Sequence, residues 1–185
     1  MISAPSGTGK STIIKQVFDR GDVKLQFSVS ATNRDPRPGE VDGESYHFLS
    51  TDDFHRHIAA DDFVEWEEVY PGRYYGTLRS EIENKCNSGS DIILDIDVKG
   101  GLNVKRIFGD RVRTIFIMPP SIDALRERLT SRATDTTEVI EQRLSRAGYE
   151  ISQADKFDMV IVNDDLATAV DRTHDVISEF IDSEV

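Results

Sequence analysis

A single cysteine, Cys86, excludes an intramolecular disulfide framework and fits a reducing compartment. On a helical stretch its expected state is half-buried and inert. No run approaches the roughly 18 consecutive apolar residues that a membrane helix needs, and the first residues lack a signal-peptide pattern. A cytoplasmic protein with no membrane partner is the expectation. Basic charge is scarce too: 22 Lys and Arg against 34 Asp and Glu leave a formal net charge of −12. A nucleic-acid strand is therefore a poor partner, because no general attraction would hold it. A small polyanion is different, since a local cluster of Arg and Lys suffices whatever the total charge. His47, His55, His57 and His174 have no metal-ligand or triad company, and they read as structural or exposed. Internal repeats, low-complexity tracts and appended interaction domains are also missing, so no obligate protein partner is expected.

What remains is an ordinary globular composition, 38% hydrophobic and 30% charged over 185 residues, expected to form one compact unit. Short β-rich runs at 24–30, 91–97, 114–118 and 159–163 alternate with amphipathic stretches. That alternation predicts an α/β fold with a parallel-sheet core and helices on both faces. Only Met1, Ile2 and Ser3 precede the first loop, and the expectation is that further residues are missing before Met1. Ile13, Ile14, Val17 and Phe18 make one apolar helical stripe. A second helix is expected over 121–133, and Asp135 with Glu138 suggests a capping box opening a helix from 136 to about 156. The last helix should run from about 165 to 181, with Val170, Val176, Ile177 and Phe180 facing the core. Residues 34–77 break the alternation with Pro36, Pro38, Gly39 and Gly43 followed by strand-like runs. They read as a small mixed α/β insertion between core segments 1–33 and 78–185.

Residues 4–11, APSGTGKS, approach the pattern G-x-x-x-x-G-K-[ST] between an apolar start and a helix. Gly7 and Gly9 can turn successive backbone N–H groups inward to form an anion nest. The helix beginning near Lys10 adds its positive end. Such a loop cradles nucleotide phosphates through Ser6, Gly7, Thr8, Gly9, Lys10, Ser11 and Thr12. Lys10 would reach the β- and γ-phosphates, and the Ser11 hydroxyl would bind Mg2+. Ala4 stands where the first glycine is usual, so the loop must start in a conformation that alanine allows.

The stretch 28–50, SVSATNRDPRPGEVDGESYHFLS, resembles the guanylate kinase family of P-loop nucleoside monophosphate kinases. FVEW at 63–66, YYGT at 74–77, LDID at 94–97 and IVNDD at 161–165 match in the same order, so the resemblance covers nearly the whole chain. It implies ATP-dependent phosphorylation of GMP to GDP in purine metabolism, with Mg2+ as cofactor. It makes 34–77 a GMP-binding insertion and 131–142 a short lid.

Arg34 and Arg37 flank Asp35-Pro36, so two planar forks suited to bidentate phosphate contact share one opening. The resemblance adds Tyr46 and Tyr75 to that phosphate grip. Ion pairs of the arginines with Asp35 or Glu40 are the alternative, and spacing alone leaves both open. Glu65 can accept the paired N1–H and N2–H donors of guanine, which adenine lacks. From spacing alone, an exposed charge is favoured there, beside Glu67 and Glu68. The resemblance adds Ser30, Thr77 and Asp97 to the guanine edge.

Asp95 and Asp97 alternate on the expected strand 91–97, near its C-terminal end, where ligands of open α/β sheets bind. By resemblance Asp95 organises Mg2+ or pairs with Lys10; a solvated strand-end acid is the plainer reading. Arg128, Arg132 and Arg143 match family arginines on the ATP phosphates and the transferring group. Pairing with Glu127, Asp135, Glu138 or Glu141 is their alternative. Asn163 matches a residue near the adenine. Two further readings compete with the kinase: a catalytically silent interaction module of similar fold, and a related P-loop kinase acting on another small molecule.

Overall fold

The computed structural model of the chain describes residues 1–131 and 136–183. It divides into two compact units, residues 1–23 with 95–185 and residues 24–94, where a single unit was expected.

The first unit is centred on a parallel sheet in the order β1 (Ile2–Ser3), β8 (Ile115–Met118), β9 (Met159–Val162). Ile2 pairs with Ile115, and Ile115 with Met159. Ile115, Phe116 and Ile117 are all buried, which is why this strand reads as a continuous apolar run without alternation. Among the described residues this unit has the α-helices α1 (Lys10–Arg20), α4 (Val98–Phe108), α5 (Ile122–Ser131), α6 (Thr137–Ile151) and α7 (Leu166–Ser183). The expected stripe of α1 buries Ile13, Ile14 and Val17, and Gly21 ends the helix at φ 69°, donating its N–H to the Phe18 carbonyl. Leu125 and Leu129 of α5 meet Ile140, Leu144 and Ala147 of α6 in one buried cluster. Arg126 and Glu141 add an ion pair between the same two helices.

Three expectations for this unit change. The cap of α6 is Thr136, whose hydroxyl accepts the Val139 N–H, whereas Asp135 lies outside the described residues. That helix stops at Ile151, and a separate 3-10 turn, Ala154–Lys156, follows it. In α7 the buried residues are Ala169, Val170 and Thr173, while Val176, Ile177 and Phe180 are half-buried.

The second unit holds a four-stranded mixed sheet in the order β4 (His47–Phe48), β3 (Ala31–Thr32), β6 (Arg73–Leu78), β5 (Phe63–Tyr70). Only β3 and β4 are parallel; β6 runs antiparallel to both β3 and β5. The helix α2 (Thr51–Ala59) is capped by Ser50, which accepts the Asp53 N–H at 3.0 Å. It inserts Phe54 against Phe63 and Tyr74, with ring centroids 4.5 and 5.5 Å apart. Truncating such a fully buried ring typically costs about 3–5 kcal/mol.

The unit also contains β2 (Leu25–Phe27), β7 (Asp91–Ile93) and α3 (Arg79–Asn87), so it reaches past 34–77 on both sides. The cause is pairing: β2 runs parallel to β7, and α3 packs on β6 and β7. The ladder ends at Ile93, short of the expected 97. Asp95 makes a single parallel bridge with Ile2, and Asp97 is the N-cap of α4. No residue of α3 is buried, and Cys86 is exposed, contrary to the half-buried expectation. Among the described residues, no helix is long and apolar enough to cross a membrane.

Gly76 allows the closest approach within this sheet. A Cβ there would sit 2.8 Å from the Glu65 carbonyl oxygen and 2.9 Å from the Trp66 Cβ, atoms of a paired strand that cannot swing away. Gly76→Ala should therefore cost about 1–3 kcal/mol in chemical denaturation. Gly148→Ala on α6 faces open space and should stabilise by about 0.5–1 kcal/mol in the same experiment.

Candidate active site

The loop over residues 4–11 is built by backbone conformation. Gly7 and Gly9 have φ of 92° and 98°, a region that L side chains rarely adopt. The Thr8 N–H donates to the Pro5 carbonyl at 3.2 Å, closing the turn between them. Gly9 caps α1 without any side-chain acceptor, so the first turn of the helix keeps donors for an anion. Ala4 introduces no strain, because Asp61 is the only non-glycine residue with positive φ among those described. Ser6, Ser11 and Thr12 are exposed, Lys10 is half-buried, and Thr8 is fully buried.

Polar groups of the same unit converge on this loop. Lys10 is ion-paired with Asp95, each about one-fifth exposed. Arg143 donates to the Ser6 hydroxyl at 3.2 Å. Arg128 donates to two carbonyls, of Asn163 at 2.9 Å and of Thr8 at 3.4 Å, and not to Glu127, Glu138 or Glu141. Asn163 is buried, and its amide nitrogen donates to the same Thr8 carbonyl at 2.6 Å. Arg132 lies outside the described residues.

Asp97 also belongs to this unit. One of its oxygens accepts the Gly100 N–H at 2.8 Å, and the other faces Arg146 at 3.3 Å. Arg146 in turn binds the buried Glu150 at 2.9 Å. Burial pushes the Glu150 carboxyl up, and Arg146 pulls in the opposite direction. Arg146 and Glu150 escaped the sequence reading; their four-residue spacing on one helix was the available signal.

In the second unit, Arg34 is bidentate to Glu40, with both N–O distances 2.6 Å. The same carboxylate accepts the Arg37 backbone N–H at 2.7 Å. The two arginines and this acid thus form one turn, and the ion-pair alternative is realised at Arg34. The guanidinium lies 4.9 Å from the Tyr46 ring centroid, and Tyr46 meets Tyr75 edge-on at 5.9 Å. The Arg34 and Arg37 contacts hold the Glu40 carboxyl near 2, well below the usual carboxylate range, and Glu40 raises Arg34. The Arg37 residue itself is exposed.

Glu65 overturns the spacing-based expectation of an exposed charge: it is 6% exposed, while Glu68 remains in solvent. It sits opposite Thr77 in the β5–β6 ladder and accepts that hydroxyl's hydrogen bond at 2.7 Å. Tyr75 and Thr77 are two residues apart on β6, so both face the same side, about 7 Å apart along the strand. A carboxylate and an aromatic–guanidinium cluster therefore line one face. Ser30, half-buried, leads into β3, and its carbonyl accepts the His47 N–H at 2.9 Å.

Among the described residues, no three His, Cys, Asp or Glu side chains gather to cage a metal. Ser11 and Asp95 supply hard oxygen donors on the loop's own unit. That set fits Mg2+ arriving with nucleotide phosphates, which needs only one or two protein oxygens.

Comparisons with known proteins give the family. A sequence model of the family described as guanylate kinase matches residues 1–180. A guanylate kinase of Bacteroides fragilis is 50% identical over 181 residues, covering 98% of this chain and 88% of the relative. One from Porphyromonas gingivalis is 49% identical, with 98% and 96% covered. The crystal structure of guanylate kinase from Anaplasma phagocytophilum superposes with a TM-score of 0.75 at 32% identity, over 99% of this chain and 83% of that one. A family model matching residues 1–180 and relatives about 50% identical over nearly the whole chain make the chain a member of the guanylate kinase family, a family of enzymes.

Proposed function

We propose that this chain transfers the γ-phosphoryl group of ATP to GMP, with Mg2+ as cofactor, forming GDP and ADP. The observation that carries the reading is the phosphate loop, with Gly7 and Gly9 at positive φ ahead of Lys10 and an α1 terminus that no side chain caps. An interaction module has no use for that construction. A phosphorylated acceptor other than GMP is disfavoured by the buried Glu65–Thr77 pair.

On this reading Ser6 to Thr12 cradle the triphosphate, and Lys10 exchanges part of its attraction to Asp95 for the β- and γ-phosphates. Ser11 and Asp95 would hold Mg2+, which would neutralise phosphate charge. Arg143 and Arg132 contact the phosphoryl oxygens, and Arg128 contributes through the loop carbonyl that it already holds. Arg34, Arg37, Tyr46 and Tyr75 grip the GMP phosphate. Glu65 accepts from N1–H and N2–H of guanine, with Thr77 and Ser30 beside it.

The nucleophile is an oxygen of the GMP phosphate. Its second pKa, about 6, leaves it mostly ionised near neutral pH, so no general base is required. The new oxygen–phosphorus bond replaces the β–γ bridging bond of ATP, and the electron pair leaves on ADP. Catalysis rests on alignment and charge stabilisation, which suits a site rich in cations and poor in histidine.

A coupled ADP-release assay should show GMP turned over at least about a hundredfold better than AMP. Glu65→Gln should erase most of that preference, and equal turnover of both nucleotides by the unmodified chain would sink the guanine-reading role. Lys10→Ala should abolish transfer while circular dichroism shows a folded protein. Retained activity would remove the loop from the mechanism.

Glu40→Gln should raise the KM for GMP more than it lowers kcat, because the arginine turn loses its anchor. The same substitution tests a pH effect. The folded Glu40 carboxyl lies near 2 against an ordinary value of 4.5, so its stabilisation is full above 4.5 and is lost as pH falls toward 2. Acid titration followed by circular dichroism should show the unmodified chain losing, across that window, a stabilisation the variant never had.

A further inference from the structure

We propose that Asn163 is a positioning residue for the phosphate loop, acting through the carbonyl of Thr8 and not through the nucleotide base. The inference rests on the reading of that loop as the triphosphate site.

A trans peptide is planar, with its C=O and N–H pointing in opposite directions. Whatever holds the Thr8 carbonyl therefore sets the direction of the Gly9 N–H, one of the donors of the nest. The Asn163 amide nitrogen holds that carbonyl at 2.6 Å, and Arg128 reaches the same oxygen at 3.4 Å. Asn163 is itself fixed at the end of β9. Its N–H donates to the Met118 carbonyl at 2.8 Å, and its own carbonyl accepts from Arg128 at 2.9 Å. The residue is buried, 5% exposed, so little of it is open to a base.

An independent feature points the same way. A Cβ on Gly9 would lie 2.6 Å from the Asn163 amide nitrogen. The glycine is thus needed for contact with Asn163 as well as for its φ of 98°. Loop and asparagine are fitted to each other, and the ends of β8 and β9 with α5 form the frame.

The two roles differ in what they do to a triphosphate that lacks a base. Calorimetric titration of the full chain with MgATP, with Mg-tripolyphosphate and with GMP separates them. Asn163→Ala removes the donor, and Asn163→Asp keeps the shape but sets a carboxylate against the carbonyl. In both variants ATP and tripolyphosphate should weaken by the same factor, about tenfold or more, since a buried carbonyl loses its nearer donor. GMP affinity should stay within about twofold, which a general loss of structure would not permit. A loss confined to ATP, with tripolyphosphate unchanged, assigns Asn163 to the base and overturns the proposal. Unchanged binding of both ligands overturns it too. If the unmodified chain binds neither ATP nor tripolyphosphate, the loop reading falls first and this inference with it. Should Asn163→Ala fail to fold by thermal melt, the Asn163→Asp variant carries the comparison.

Discussion

On a chain of net charge −12, acids outnumber the cations and several hold one in place, a constraint that shapes both units. Lys10 is held by Asp95, Arg34 by Glu40, and Arg146 by Asp97 and Glu150. A long flexible cation loses rotamer freedom when it grips a ligand. A carboxylate that already orients it absorbs that cost during folding. The acids therefore orient Lys10 and Arg34 before any ligand arrives.

Backbone groups complete what the side chains begin. In the loop over residues 4–11 the directions of the N–H groups follow from Gly7, Gly9 and the neighbouring peptide planes. Peptide planes carry no side-chain identity, so their orientation depends on what holds their carbonyls. Asn163 and Arg128 supply that hold at Thr8, from segments far along the chain. Alanine at position 4 is tolerated because the positive φ values fall on Gly7 and Gly9 and not on Ala4.

The second unit follows a different logic. A buried carboxylate is costly unless it is hydrogen-bonded, and Glu65 accepts from Thr77 across the β5–β6 ladder. Gly76 lets those strands close on each other, so a residue with no side chain governs where Glu65 and Thr77 meet. Tyr75 of the aromatic–guanidinium cluster sits two residues away on β6, placed by strand periodicity.

Much of this was legible in the order of residues. The phosphate loop, the stripe of α1, the apolar runs of β8 and β9 and the strand 63–70 depend on short-range patterns, and local sequence determined them. The helices α3 and α4 were not legible. One buries no residue, and the other carries Gly100-Gly101 in place of a clear apolar stripe. Only the tertiary structure decided which partner each charge takes. Spacing could not choose between Asp35 and Glu40 for Arg34, and it favoured an exposed Glu65. Nor could it show that Arg128 and Asn163 meet at a carbonyl 120 and 155 residues away. Such contacts depend on chain closure and burial, and neither leaves a periodic trace in sequence. The loop's identity is local, while the direction of its N–H groups is set by residues brought to it by the fold.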